Sequence, residues 1–542
     1  MKKKNKTKFI VVTGGVLSGL GKGIAAASIG NLLSDRLKVI PVKCDGYLNT
    51  DPGTMNPIEH GEVYVLDDGG EVDMDFGHYE RFLNVQAKSP WNLTMGKIFK
   101  SILDKERKGD YLGKTVQFIP HVTDAIREQF NLIIEEESPD VMLIEVGGTV
   151  GDLENQFYLE AIRQLKREVS PQDMIIIHLT YVPIPSGVGE QKSKPTQMSV
   201  RDLNERGIEP DIIIGRCSEF LSPAVKEKIA SYCNIDPKEV ISGVDVECVY
   251  ENPLIYEKEG VPELLHNKLG LYSPPNLDTW GKWVQVLKNN LSNPRKTVTI
   301  ALCGKYTALE DSYASIIEAL IHCEAHNNIK IKVKWVETSK IENAHDVEQS
   351  LKGMDGVIVP GGFGARGIEG KIKLIQYVRE NNVPFLGICY GMQLAVVEFA
   401  RNKCNLPHAH TAEIEETGQK VKDPVIALLP SQKHVTHKGG SMRLGGHDVE
   451  LKQGTKVFDI FGKKKTVRQR FRHRYEVNPN YVEQIEKEGM IFSGKAPDES
   501  IMQILEIPEH KYFVACQFHP ELTSNLRKPS PLFHGLIQSI LK

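Results

Sequence analysis

Two α/β domains, each a doubly wound sheet, are predicted from three observations. Short apolar runs of β-branched character alternate with helix-length stretches along the chain, a punctuated segment interrupts that alternation near its middle, and each half carries one glycine-rich strand-to-helix turn. The first-half strands are predicted at Phe9 to Val12, Val39 to Val42, Val141 to Ile144, Met174 to Leu179 and Ile212 to Ile214. An Ala-rich helix is predicted from Ile24 to Leu33. After Asn267 the pattern changes to Ser273-Pro274-Pro275-Asn276, a short helix-like piece from Thr279 to Leu291, and Asn293-Pro294-Arg295. The expected organisation is therefore a first domain over 1–272, a linker over 273–297 and a second domain over 298–542. Strands of the second domain are expected at Val298 to Leu302, Gly356 to Val359, Phe385 to Ile388 and Phe513 to Phe518, with a helix over Met392 to Ala400. There is no internal repeat and no low-complexity tract.

Composition narrows the function classes. At 542 residues the chain is too long for a single small module. Lys plus Arg is 67 and Asp plus Glu is 70, a formal charge of −3, which disfavours a polyanion or an acidic membrane as the main partner. Nine scattered cysteines show no CxxC spacing, so no zinc ribbon or redox pair is expected and a reducing cytoplasm fits best. The apolar run Phe9 to Val12 is too short for a signal-peptide core, and no stretch approaches the roughly 20 apolar residues of a membrane span.

The first candidate site follows Phe9 to Val12, where Thr13-Gly14-Gly15-Val16-Leu17-Ser18-Gly19-Leu20-Gly21-Lys22-Gly23 leads into the Ala-rich helix. Strand, glycine loop, lysine and helix is the order of a phosphate cradle. Glycines let backbone N–H groups turn toward phosphate oxygens, the helix N-terminus adds positive potential, and Lys22 supplies a point charge. The regular spacing fails: counting back five from Gly21 reaches Val16, and Gly23 stands where a magnesium-binding Ser or Thr should follow the lysine. The missing oxygen ligand is expected from carboxylates at strand ends, with Glu145 after Val141 to Ile144 and Asp75 in Asp73-Met74-Asp75 as candidates. Lys43, ending the second strand, is a further candidate phosphate contact.

In the second half, Gly387-Ile388-Cys389-Tyr390-Gly391 sits between a predicted strand and a predicted helix. A nucleophile between two glycines at such a turn is an elbow, where the helix dipole favours thiolate and a nearby imidazole takes the proton. His519 in Gln517-Phe518-His519-Pro520-Glu521 is the expected base, with Glu521 to orient it, and Pro360-Gly361-Gly362-Phe363-Gly364 offers N–H groups for an oxyanion.

Together these residues have a family likeness. The second half resembles the class I glutamine amidotransferases. The whole chain, from about Lys8 to Leu532, resembles the CTP synthase family. The likeness is carried by Gly21 to Ala27 (GKGIAAA), Asp51 to Met55 (DPGTM), His60 to Val63 (HGEV), Gly77 to Phe82 (GHYERF), Gly109 to Gly113 (GDYLG), Glu145 to Asp152 (EVGGTVGD), Lys194 to Gln197 (KPTQ), Pro360 to Gly364 (PGGFG), Arg472 to Asn478 (RHRYEVN) and Val514 to Glu521 (VACQFHPE).

The resemblance implies ATP-dependent amination of UTP to CTP with ammonia from L-glutamine, on a P-loop-like synthetase domain followed by a class I glutamine amidotransferase domain. It implies ATP contacts at Ser18, Gly19, Leu20, Gly21, Lys22, Gly23, Lys43, Asp75 and Asp245, with Mg²⁺ on Asp75 and Glu145. UTP is implied at Lys192, Ser193, Lys194, Pro195, Thr196, Gln197 and Lys228, and feedback-inhibiting CTP at Asp152, Leu153 and Glu154. Glutamine is implied at Gly362, Tyr390, Gly391, Met392, Gln393, Glu413 and Arg474, beside a Cys389–His519–Glu521 triad. A homotetramer with nucleotide sites shared between subunits, and an enclosed route for ammonia, are further implications. Two departures stand out: Tyr390 follows the nucleophile where many relatives carry leucine, and Ser431 to Ser441 is shorter than in bacterial relatives near residues linked to GTP activation. GTP as an allosteric activator is therefore an open expectation.

The basic segment Lys463 to Lys465 with Arg468, Arg470, Arg472 and Arg474 has a period of two, which predicts a strand with one solvated or site-facing side rather than a nucleic-acid patch. Two histidine pairs, His408/His410 and His434/His437, lack accompanying thiols or carboxylates, so no transition metal is assigned. The rival functions are another ATP-dependent amidoligase of the same two-domain type and a catalytically silent filament-forming homologue.

Overall fold

The protein is described by a computed structural model over residues 6–305, 310–364, 366–429, 440–497 and 499–542. Its contacts divide the chain into two units: residues 1–52 with 75–284, and residues 53–74 with 285–542.

The first unit is built on a wholly parallel sheet of β1 (Lys8–Gly14), β2 (Val39–Asp45), β3 (Asn92–Thr94), β4 (Val141–Val146), β5 (Met174–Tyr181), β6 (Ile212–Cys217) and β7 (Val240–Val244). Their order is β3-β2-β4-β1-β5-β6-β7. Ile10, Val11, Val12, Ile144, Ile176 and Ile177 are fully buried, as expected of strands covered on both faces. Each predicted strand is present. Those at Asn92–Thr94 and Val240–Val244 were not predicted, because three residues beginning in Asn and a run broken by Ser242 and Gly243 carry little strand signal. Helix α1 (Lys22–Ser34) follows β1, and α2 (Asp75–Leu83) lies against it. Gly30 sets that approach, since a Cβ there would lie 2.9 Å from the methyls of Leu83. The first unit also holds α3 (Lys194–Glu205).

Register places chemistry before any loop is considered. In the parallel ladder Glu145 of β4 pairs with both Val12 of β1 and Lys43 of β2. A buried carboxylate and a buried ammonium thus become neighbours because the strands align there.

The second unit centres on a sheet of β8 (Thr297–Gly304), β9 (Lys330–Glu337), β10 (Gly356–Val359), β11 (Phe385–Ile388), β12 (Arg443–Leu451), β13 (Thr466–His473), β14 (Ile491–Lys495), β15 (Met502–Glu506) and β16 (Phe513–Cys516). The order is β9-β8-β10-β11-β16-β15-β14-β12-β13. The first five pair in parallel and the rest antiparallel. Helix α4 (Tyr390–Asn402) leaves β11. The predicted strand Phe513 to Phe518 ends at Cys516, which frees Gln517 and His519 for the site. The linker segment holds the expected helix, over Asp278–Ser292.

Arg468, Arg470 and Arg472 lie in strand β13 with the predicted period of two, and Arg474 follows its end. As expected of a strand with one solvated or site-facing side, Arg468 stays exposed and Arg472 lines a cavity, while residues 53–74 lie across the strand and bury Arg470. Asp67 accepts from Arg468 at 2.9 Å, Glu71 from Arg472 at 2.8 Å, and Arg470 donates to Tyr64 Oη and the Val65 carbonyl at 3.2 Å each. Contacts place this excursion from the first half in the second unit.

Candidate active sites

In the first unit, the loop between β1 and α1 takes positive φ at Val16, Gly19 and Gly21. The valine is the unusual member, since a β-branched residue at φ 78° is strained. Val16 and Leu17 are exposed. Lys22 opens α1 and turns back so that Nζ donates to the Gly148 carbonyl at 2.7 Å, joining the loop after β1 to the loop after β4. Burial lowers the Lys22 pKa from the usual lysine value, against the pull of Glu145.

Lys43 Nζ lies between the two candidate carboxylates. It donates to Glu145 Oε1 at 2.8 Å and to Asp75 Oδ2. Tyr79 Oη donates to the other oxygen of Glu145. Burial raises the Glu145 pKa. Burial acts the same way on Asp75, but Lys43 and His78 outweigh it and hold that carboxyl below its ordinary value.

The geometry around Gly23 accounts for the departure from regular P-loop spacing. A Cβ built on Gly23 would lie 2.0 Å from Asp75 Oδ1, so the space a Ser or Thr side chain would fill is taken by the carboxylate of α2. Two hard oxygen donors, gathered around a single ammonium beside a phosphate-type loop, fit Mg²⁺, which takes one or two carboxylates together with nucleotide phosphates.

Around this centre, Arg216 Nη1 lies 3.4 Å from the Cβ position of Gly21, and the same guanidinium donates to Asp245. Asp245 is thereby tied to the loop. In the remaining strip, Lys192 donates to Glu190 at 2.9 Å, Thr196 Oγ1 to the Tyr181 carbonyl at 3.2 Å, and Gln197 to Ser193 Oγ at 3.1 Å. Ser193 and Thr196 are buried, whereas Lys194 and Lys228 are exposed. Pro195 begins α3. Asp152 accepts from Thr149 Oγ1 at 2.9 Å, with Leu153 and Glu154 exposed beside it.

In the second unit, β10, β11 and β16 run side by side, so the Pro360–Gly364 strip, Cys389 and His519 leave the C-terminal ends of three adjacent parallel strands. Cys389 has φ 50° and ψ −100°, the strained backbone of a nucleophile elbow. Its flanking glycines are required by packing: a Cβ on Gly391 would lie 2.1 Å from the Val359 carbonyl, and one on Gly387 2.8 Å from Ala515. Gly361 sits against both reacting groups, its Cβ position 2.9 Å from His519 Cε1 and 3.6 Å from Cys389 Cβ.

His519 Nδ1 and Glu521 Oε1 are 2.7 Å apart, and Nε2 is buried with no hydrogen-bond partner among the described residues. Burial would lower the imidazole pKa. The charges of Glu521 and the Cys389 sulfur outweigh it and raise the pKa to about 10, so His519 is protonated at neutral pH. Cys389, His519 and Glu521 line a cavity of about 820 Å³ together with Gly362, Arg474 and the segment Gly53 to Pro57.

The strip is held from outside. Glu413 Oε1 accepts from Gly364 N at 2.7 Å, Tyr390 Oη donates to the Gly364 carbonyl at 3.2 Å, and Lys305 donates to the Phe363 carbonyl. Tyr390, Met392 and Gln393 are buried, and the Gln393 amide donates to the Tyr475 carbonyl at 2.8 Å and to Gln517 Oε1 at 3.2 Å. Arg474 donates to Ser441 Oγ at 3.2 Å. Sequence reasoning missed Gln517, whose Nε2 lies 3.5 Å from Cys389 Sγ, and the pocket wall at Gly53 to Pro57. The first had a signal in its place two residues before His519; the second had none beyond the family string.

Comparison with known proteins decides between these readings. Residues 8–271 match the family model for the CTP synthase N-terminus, and residues 308–539 that for class I glutamine amidotransferases. The chain belongs to the CTP synthase family. A CTP synthase of Borreliella burgdorferi is 52% identical over 99% of this chain and 100% of its own length. One from Borreliella afzelii matches equally over the same spans, and one from Archaeoglobus fulgidus is 50% identical over 99% and 98%. As for other CTP synthases, the activity is that of a glutamine-hydrolysing ligase that makes CTP from UTP at the expense of ATP. No helix among the described residues is long and apolar enough to cross a membrane.

Proposed function

We propose that the synthase reaction is divided between the two centres by residue: Lys22, Lys43, Asp75 and Glu145 serve UTP activation, and Cys389, His519 and Glu521 release ammonia. The observation that carries the division is that each unit gathers its own chemical set, a phosphate-type loop with converging carboxylates in one and a strained cysteine beside a protonated imidazole in the other.

The C4 oxygen of uracil is a poor leaving group until ATP phosphorylates it, so the first centre must position phosphates and neutralise charge. Ser18 to Gly23 present backbone N–H groups, Lys22 and Lys43 supply cations, and Asp245 orders Arg216 beside Gly21. Mg²⁺ held by Asp75 and Glu145 would supply the charge neutralisation of the bound phosphates. Lys192 to Gln197 with Lys228 are assigned to UTP, and Asp152 to Glu154 to feedback CTP at an overlapping site.

At the second centre Cys389 attacks the glutamine amide, His519 protonates the departing nitrogen, and the same ring then serves as base when water cleaves the glutamyl thioester. Glu521 orients the ring and favours its protonated form. Gly362, the N-terminus of α4 at Tyr390 to Gln393, Glu413 and Arg474 are assigned to glutamine, with Glu413 acting at least partly through the strip it anchors.

A homotetramer is supported by the exposure of Phe118, Ile119 and Leu153 on the synthase unit, and a cytoplasmic location by the reduced, buried cysteines. Stimulation by GTP belongs to the same reading; of the short segment on which it turns, Ser431 to Ser441, residues 431–439 lie outside the described residues. The domain limits 1–272, 273–297 and 298–542 are retained for the sequence modules, with 53–74 working in the second.

The test is CTP formation from each nitrogen source. Cys389→Ala is expected to abolish glutamine-driven synthesis and leave ammonia-driven synthesis within about twofold, because only the nitrogen donor is lost. Lys22→Ala is expected to remove both. A folded Cys389→Ala protein inactive with ammonia, or a Lys22→Ala protein with normal ammonia-driven rates, overturns the division.

A further inference from the structure

Lys371 lies on the helix Ile368–Glu380, with only 1% of its surface exposed. Among the described residues its ammonium makes no hydrogen bond and no ion pair. It lies over the face of the Tyr390 ring, 5.2 Å from Nζ to the centroid. A cation buried without a counter-ion opposes folding, and natural chains seldom retain one without a use. Burial and the charge of Lys305 lower its pKa to about 8, while Cys303, Glu413 and Glu337 favour the charged form.

The position of this charge is informative. Nζ is 3.9 Å from the Cβ position of Gly362, behind the glycine strip that lines the cavity opposite Cys389. Its other neighbour, Tyr390, directly follows the nucleophile and begins α4. The ammonium therefore lies beside both backbone elements assigned to glutamine, the strip at Gly362 and the start of α4 at Tyr390.

We propose that Lys371 is a positioning residue of the amidotransferase centre, holding a positive charge behind the oxyanion strip and the elbow without touching substrate. This rests on the assignment of glutamine cleavage to Cys389. When the thiolate adds to the amide carbon, the C=O π pair moves onto oxygen, and the negative charge appears in a water-poor site. A fixed cation stabilises it there more than in bulk solvent and requires no reorganisation during the step. Because the charge develops only along the reaction, the gain belongs to kcat rather than to KM.

The test replaces Lys371 by an apolar side chain of similar length in the full chain. Lys371→Met is expected to lower kcat for glutamine hydrolysis at least tenfold, with KM for glutamine changed less than threefold, ammonia-driven CTP formation unchanged, and Tm equal to or above that of the wild type. A Tm that does not fall is the readout a structural role would not give, since the variant loses only a buried charge that makes no ion pair among the described residues. Unchanged kcat for glutamine overturns the proposal. So does a fall in Tm accompanied by loss of ammonia-driven activity, which would make Lys371 a packing residue. If wild type itself fails to hydrolyse glutamine while making CTP from ammonia, the assignment of the second centre has failed instead.

Discussion

His519 concentrates the residue-scale physics. Its ring is buried, which by itself would favour the neutral form, yet Glu521 at 2.7 Å and the cysteine sulfur reverse the outcome. With a folded pKa near 10 and an unfolded value of about 6.5, the protonated ring favours the folded state. That contribution is complete below about pH 6.5, declines as pH rises, and is gone above about 10. The Tm difference between wild type and His519→Gln should accordingly be largest near pH 6.5 and shrink toward pH 10. A difference that stays constant across that range would show that the ring is not charged in the folded protein. Cys389, His519 and Glu521 were legible from the sequence because an elbow needs glycines on both sides of its nucleophile. Lys371 was not legible. A lysine in a helix normally reads as solvated surface, and only packing shows that this one is enclosed.

At the scale of elements, the strand-to-helix turn after β1 shows how a failed motif can still mark a candidate site. The expected hydroxyl is absent at Gly23, and the carboxylate at the head of α2 occupies its space. Gly23→Ser would force Asp75 away from Lys43 and Glu145. It should reduce ATP-dependent CTP formation at least tenfold with either nitrogen source while leaving glutamine hydrolysis by the second unit near normal. A variant with normal ATP-dependent rates would show that Asp75 is not needed where it lies. The loop itself was readable from glycine spacing and the helix that follows it. Which acid replaced the hydroxyl was narrowed to two strand-end or loop carboxylates, and the register of Glu145 with Lys43 then brought both onto one ammonium.

For the molecule as a whole, the chain does not partition as simply as its sequence. Residues 53–74 leave the first half to cover β13 of the second, and Glu71 is almost wholly buried where it meets Arg472. Removing one partner of such a pair strands the other. Glu71→Ala should cost about 3 kcal/mol, the low end for breaking a buried pair because Arg472 keeps some exposure. Denaturant unfolding of the second unit would measure it, and a loss below about 1 kcal/mol would show the excursion to be loosely held. The period-two arginines correctly signalled a strand, but a one-dimensional pattern could not supply their partners, which lie about 400 positions away in the chain. What the sequence by itself determined was the two α/β modules, their strand-to-helix turns and the candidate residues of both centres, because these rest on local backbone demands and on residue types at short spacing. Only the tertiary structure decided the register that pairs Lys43 with Glu145, the burial of Lys371 with no ion pair among the described residues, and the excursion that walls the amidotransferase cavity. Each of these depends on contacts between segments far apart in the chain, where desolvation, rather than local propensity, sets the energy.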